Sequence, residues 1–151
     1  MKRVGGVVAI ATAGVAVLAG CGGDGGSTDA VAASTELGSV GTVSELKDAA
    51  IAAGYACPSW VQDNVVKLAA ESGRCSDSDV FTTYLSESSR DESVQIHKAM
   101  AKETREMFAD DEDADPALTD EEVLLVGPNW IINSDDAASL QADLGGQVVR
   151  Y

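Results

Sequence analysis

Only the stretch from Thr42 to Tyr151 carries the periodicity of a folded chain, and its length of about 110 residues allows one hydrophobic core and not two. Everything from Met1 to Gly41 is a different material, first Val, Ala and Gly, then Gly, Ser and Thr. The sequence therefore predicts a single small domain preceded by a long segment that contributes nothing to its core.

Within that domain the hydrophobic spacing sets the elements. Thr42-x-x-Glu45 is a capping box, and Val43, Leu46, Ala50 and Ala53 fall three or four apart, one face of a first helix that Gly54 is placed to end. Pro58 blocks continuation of a helix, and short strands are expected around Trp60 and over Leu68 to Arg74. Val80 to Leu85 alternates, with Phe81, Thr83 and Leu85 pointing one way and Val80, Thr82 and Tyr84 the other.

Ser89-x-x-Glu92 offers a second capping box. Behind it Val94, His97, Ala101, Thr104 and Phe108 recur on one face, flanked by Met100 and Met107. Val123 to Val126 is an apolar strand. It is interrupted by Gly127-Pro128-Asn129 and resumed by Trp130-Ile131-Ile132; the interruption is a tight bend or bulge, since Pro128 has no N–H for a ladder. Ser134-Asp135-Asp136 is placed to cap a third helix carrying Ala137, Leu140, Gln141 and Leu144. Gly145-Gly146 stops it before a last strand from Gln147 to Tyr151. This order predicts an α+β fold: a four- to five-stranded, mostly antiparallel sheet with two to three helices on one face.

The stretch from Met1 to Cys21 carries an address. Lys2 and Arg3 precede an uncharged run from Val4 to Val17, the n-region and h-region of a secretory signal. By length alone a membrane-spanning anchor is equally open, because the uncharged stretch from Val4 to Gly20 just reaches the lower limit for crossing a bilayer. The ending separates the two readings. Leu18-Ala19-Gly20-Cys21 resembles the lipobox of bacterial lipoproteins, in which the cysteine thiol is joined to a diacylglycerol and a dedicated peptidase cuts just before it. The resemblance implies a signal peptide over 1–20, a lipidated Cys21, and a membrane partner reached through the lipid anchor on the extracytoplasmic face of the cell membrane. Two acyl chains hold a protein far more firmly than the marginal binding of one, at about 0.8 kcal/mol per buried CH₂.

Residues 21–41 then read as the lipidated cysteine and a flexible tether. Gly22, Gly23, Gly25, Gly26, Gly38 and Gly41 are interspersed with serines and threonines that cannot repay their ordering entropy. A coil of about 20 residues reaches on the order of 25 Å. Removal of Lys2 and Arg3 with the signal leaves 8 Lys and Arg against 25 Asp and Glu, a net charge of −17. Such a surface repels nucleic acid, whose phosphates are gripped by Lys and Arg, and leaves cationic partners or metal ions as the charge-compatible ones.

A second likeness covers most of residues 42–151. Ala53-Gly54-Tyr55-Ala56-Cys57, Glu71-Ser72-Gly73-Arg74-Cys75, Val126-Gly127-Pro128-Asn129-Trp130 and Gly145-Gly146-Gln147-Val148-Val149 together resemble small exported lipoproteins of high-GC Gram-positive bacteria and their phages. Gly127 to Trp130 is the most specific piece. That family has no assigned molecular activity, so the likeness bears on fold and address. With Cys21 consumed by lipid, Cys57 and Cys75 remain as an even pair in an oxidising compartment, which predicts a disulfide. A redox pair or a metal site is the rival, but there is no Cys-x-x-Cys and no nearby histidine.

Candidates for chemistry thin out on inspection. The acidic segment Asp110 to Glu122 contains a twelve-residue stretch from Asp111 that resembles an EF-hand calcium loop, with acids at its positions 1, 3, 5 and 12. Position 6 should turn with positive φ and is instead Pro116, whose ring fixes a negative φ, so a solvated acidic loop is the reading. His97 is the single histidine. It lies on the apolar side of the second helix, as a core or boundary residue rather than a catalytic base. Trp60 and Trp130 read as core aromatics rather than stacking platforms. No catalytic constellation, cofactor motif or metal-ligand set is apparent.

The functional expectation is a non-catalytic interaction module displayed at the cell envelope, with an envelope or phage protein as partner. Two narrower expectations stand beside it. One is a phage- or prophage-encoded lipoprotein that blocks superinfection, since such proteins resemble this one in size and anchor. The other is a cation- or small-solute-binding lipoprotein.

Overall fold

A computed structural model describes residues 36–109 and 121–151. The expected signal segment, Cys21, the tether up to residue 35 and residues 110–120 of the acidic segment lie outside the described residues. The elements, in chain order, are α1 (Val43–Ala52), β1 (Val61–Gln62), β2 (Glu71–Arg74), β3 (Val80–Thr83), α2 (Glu87–Phe108), β4 (Val123–Val126), β5 (Trp130–Asn133), α3 (Gln141–Leu144) and β6 (Gln147–Arg150).

The fold is α+β, with one six-stranded sheet in the order β1-β2-β3-β5-β4-β6 and every pairing antiparallel. Six strands exceed the four or five expected. The difference lies at Gly127-Pro128-Asn129, read from the sequence as an interruption within one strand; it turns the chain back, so that β4 and β5 are two strands paired antiparallel.

Helices also cover both faces of the sheet rather than one. Phe81, Leu125, Trp130 and Ile132 face α1 and the Ala137 to Leu144 segment, while Tyr84, Leu124 and Ile131 face Val94 of α2. The cause is in the central strands: Leu124 and Leu125 are both buried, as are Trp130, Ile131 and Ile132. Neighbouring residues of a strand point to opposite faces, so an unbroken apolar run needs cover on both.

The first helix forms as its spacing predicts. Thr42 and Glu45 close the capping box, and Glu71 Oε2, reaching up from β2, accepts from Val43 N at 2.8 Å. Gly54, at φ +97°, ends the helix. Its N–H bonds Ile51 O and that of Tyr55 bonds Ala50 O, the paired closure for which a left-handed glycine is suited.

The other two helices depart from expectation in their boundaries. α2 is capped by Ser86, whose Oγ accepts from Ser89 N at 3.1 Å, so Ser89 is its third residue and not its cap. The third helix shrinks to four residues, because residues 135–140 form successive turns, with Ala137 N bonded to Ser134 O and Ser139 N to Asp136 O. Ala137, Leu140 and Leu144 are nonetheless buried, as the spacing indicates. Cys57 and Cys75 form a disulfide, with an S–S distance of 2.01 Å, tying the segment after α1 to the end of β2.

Gly127 to Trp130 makes the tight turn between β4 and β5, with Gly127 N bonded to Trp130 O. A side chain at Gly127 would collide with the indole of Trp130, which lies across it. The turn also holds residues that the sequence assigns to the tether. Asn129 brackets Val40, accepting from its N–H at 2.9 Å and donating to its carbonyl at 2.8 Å. Trp130 Nε1 donates to Gly38 O at 3.1 Å, and Leu37 N donates to Leu144 O. Residues 37–41 are therefore a strap fastened to the domain, whose ordered part begins before Thr42.

Candidate functional site

The most distinctive surface lies on the α2 side of the sheet, where the loop joining β1 to β2 stands opposite the flank of α2. Ser72, fully buried on β2, organises that loop. Its N–H donates to Asn64 Oδ1 at 2.9 Å, its carbonyl accepts from Asn64 N, and its hydroxyl accepts from Val66 N at 3.3 Å and donates to Asp63 Oδ1 at 3.4 Å. Arg74 pairs with Asp63 at 2.9 Å, and Ala70 N bonds Thr83 O at 2.7 Å.

So fixed, the loop holds Asn64 at φ +53° and Leu68 at φ +68°. Asparagine tolerates that region; leucine pays on the order of 1 kcal/mol to be there. The outcome is an apolar display, with Val65 68% and Leu68 42% exposed.

The facing flank of α2 is also apolar. Ser93, Ile96, His97 and Met100 lie at three- and four-residue spacing, and with Val66 and Lys67 they line a cleft of about 480 Å³. Ile96, Met100 and Met107 remain 42%, 62% and 68% exposed. Of its 22 residues the helix buries only Ser93, Val94 and Ala101. Ser93, in that lining, is anchored by hydroxyls. Tyr84 donates to Ser93 Oγ at 2.8 Å, and Thr82 Oγ1 lies 3.1 Å from the Tyr84 oxygen, joining β3 to α2.

His97 belongs to the same lining. Burial pushes its pKa down, with Glu122 acting in the opposite sense, and its ring lies 6.4 Å from that of Tyr151. Tyr151 in turn donates its hydroxyl to Glu122 at 3.2 Å; burial and that carboxylate push the phenol's pKa up. His97 thus sits at a boundary, as its place on the helix predicts. Among the described residues no group of three or more His, Cys, Asp or Glu is arranged to hold a metal ion.

The other residues singled out by sequence lie elsewhere. Trp130 is fully buried on the α1 face, and Trp60 is half-buried there, edge-on to Phe81 at 5.9 Å with Gly73 leaving room for its indole. The Cys57–Cys75 disulfide belongs to the same side through the packing of Cys75. Asp79 lies near Tyr55. Burial pushes its carboxyl up, but hydrogen bonds led by Ser76 at 2.6 Å outweigh this and leave it below the ordinary range. Cys21 and residues 110–120 are outside the described residues. Glu121, at the end of the acidic segment, pairs with Arg150 at 3.4 Å.

Sequence reasoning did not find the cleft. Val66, Lys67 and Ile96 drew no notice, and Met100 appeared only as a flank. The available signal was a second apolar line on α2, Ile96, Met100 and Met107, displaced about a quarter turn from the buried one. No protein-family model matches the chain, and neither a curated protein nor a solved structure matches it.

Proposed function

We propose that this chain is a lipid-anchored extracytoplasmic lipoprotein whose domain is a non-catalytic protein-interaction module at the cell envelope. The observation that carries the interaction is the α2 flank, where Ile96 and Met100 stay exposed and line a cleft with Val66 of the β1–β2 loop. Single exposed apolar residues are ordinary, but a contiguous group lining a cleft marks a surface built for contact. The anchor is supported by Lys2-Arg3, the uncharged run and Leu18-Ala19-Gly20-Cys21.

The two halves are tested separately. In a bacterial host the full-length chain is expected in the membrane fraction, with the mass of a diacylglycerol on a chain beginning at Cys21, and Cys21→Ala abolishes both. Equal partitioning of the two proteins ends the lipoprotein reading. For the interaction, a photocrosslinking residue placed in turn at several exposed positions is expected to give a discrete adduct in cells. A ladder matching that of an unrelated anchored lipoprotein counts against a dedicated partner.

A further inference from the structure

We propose that the cleft between α2 and the β1–β2 loop receives a short amphipathic helix of a partner protein, with basic residues along the edge that meets α2. This rests on the interaction-module reading and names the surface and the chemistry of the occupant.

Three observations select that occupant. The first is backbone hydrogen bonding. The N–H groups of Asn64, Val66 and Ala70 on the loop wall are already taken by Ser72 and Thr83, and α2 satisfies its own interior. An extended peptide draws its affinity from main-chain bonds to a free strand edge, and this wall offers none at those positions. A helix brings its backbone already bonded and needs only an apolar groove.

The second is shape. Ile96 and Met100 lie one helical turn apart and line the cleft together with Val66, so apolar side chains spaced i, i+3 or i+4 would meet them. A methionine on one wall suits such an occupant, since its side chain adapts to the knob it receives.

The third is charge. Glu92 and Glu103 are exposed and, by the helical repeat, fall on the outer side of the Ile96–Met100 line, whereas Lys98 and Lys102 fall on the opposite side of the helix, Lys102 paired with Glu106 at 3.6 Å. The outer rim is thus acidic on a chain of net charge −15. A second copy of this chain, an anionic lipid surface and a nucleic acid would all be repelled, while a basic edge is attracted. On the loop wall Lys67 is the cation, so the helix presents an acidic or polar residue there.

The test uses the full-length protein in phosphatidylcholine nanodiscs, with empty nanodiscs as the blank. Three labelled peptides of about fourteen residues serve as probes: a Leu/Lys helix with one apolar face, its scramble with the same composition and no apolar face, and a Leu/Glu helix of the same pattern. Fluorescence anisotropy is expected to show the Leu/Lys helix binding about tenfold or more tightly than its scramble, and no binding of the Leu/Glu helix. The double variant Ile96→Ser, Met100→Ser is expected to lose the same factor with an unchanged circular dichroism spectrum, as both side chains are already exposed.

Equal binding of helix and scramble would reduce the effect to charge attraction and overturn the proposal, as would undiminished binding to the double variant. Dimerisation of the wild type abolished by Met100→Ser would overturn it in favour of a second copy. If the peptides fail while a crosslinker at Ile51, on α1, captures a partner in cells, the cleft is overturned and the interaction reading stands. Failure of both overturns both.

Discussion

The two long helices are used in opposite ways. α1 has ten residues, of which Val43, Leu46 and Ala50 are wholly buried, and its start is held by Thr42, Glu45 and, from the sheet, Glu71. α2 has 22 residues, is capped by a single serine, and leaves a line of large apolar side chains in solvent. A helix owes most of its stability in a protein to the face it buries. On that measure α1 is a component of the core, and α2 is a surface held out by the core.

The sheet shows the same division. The α1 face collects Phe81, Leu125, Trp130 and Ile132 together with Tyr55 and Cys75, whereas the buried set on the α2 face is Tyr84, Val94, Leu124 and Ile131. A 22-residue helix is about 33 Å long, and its buried residues run only from Ser93 to Ala101, about 12 Å of it. Its excess length is available for contact.

The division is open to direct attack by mutation. Leu46→Ala in α1 is expected to cost about 2–5 kcal/mol by urea denaturation, and Val94→Ala in α2 about 1–2 kcal/mol. Equal losses would break the comparison. Reduction of the Cys57–Cys75 disulfide, on the α1 side, is expected to lower stability by about 3 kcal/mol, measured as the difference in urea midpoint with and without reductant. Asn129→Ala, which releases the strap from the same side, is expected to cost about 1–2 kcal/mol and to expose the Val40 amide to hydrogen exchange while α2 amides keep their rates.

On the α2 side the expected effects are smaller and chemically different. Burial holds His97 below its ordinary value of 6.5, so at pH 7.5 it is neutral both folded and unfolded and affects stability little. As pH falls through about 6.5 the unfolded chain takes up a proton that the fold refuses, and stability drops until the lower folded-state pKa is passed. The thermal midpoint should therefore fall between pH 7.5 and 5.5, and His97→Gln should flatten that slope; an unchanged slope would mean that α2 is not seated on the imidazole. Smallest of all, Ile96→Ser with Met100→Ser should shift stability by no more than about 0.5 kcal/mol. A loss comparable to Leu46→Ala would make those residues core rather than display.

Much of the α1 side was legible in the sequence, because its signals are local. The Thr42-x-x-Glu45 box, Gly54, and the three- and four-residue spacing of Val43, Leu46 and Ala50 concern residues within one helix. The two-sided burial of the sheet was also written there, in Val123 to Val126 and Trp130 to Ile132, apolar without alternation. The cleft was not legible, since it depends on a buried Ser72 pinning residues 64–70 opposite α2, and nothing local marks a leucine such as Leu68 for positive φ. Nor do the glycines at 38 and 41 reveal that a carbonyl among them meets an indole 92 residues away.

That last contact bears on the order in which the chain can fold. Val40 and Asn129 are 89 residues apart in sequence, so the strap is the first part of the described domain to emerge during synthesis or export and among the last to find its partners. Until Asn129 and Trp130 arrive, residues 37–41 are open to proteases and free of the domain. Afterwards the beginning of the domain is clasped to its C-terminal half, at Asn129 and Trp130 and again where Leu37 N bonds Leu144 O. Clasping thus reports that the chain has been made at least through Trp130, since a product truncated before Asn129 lacks the partners of Gly38 and Val40.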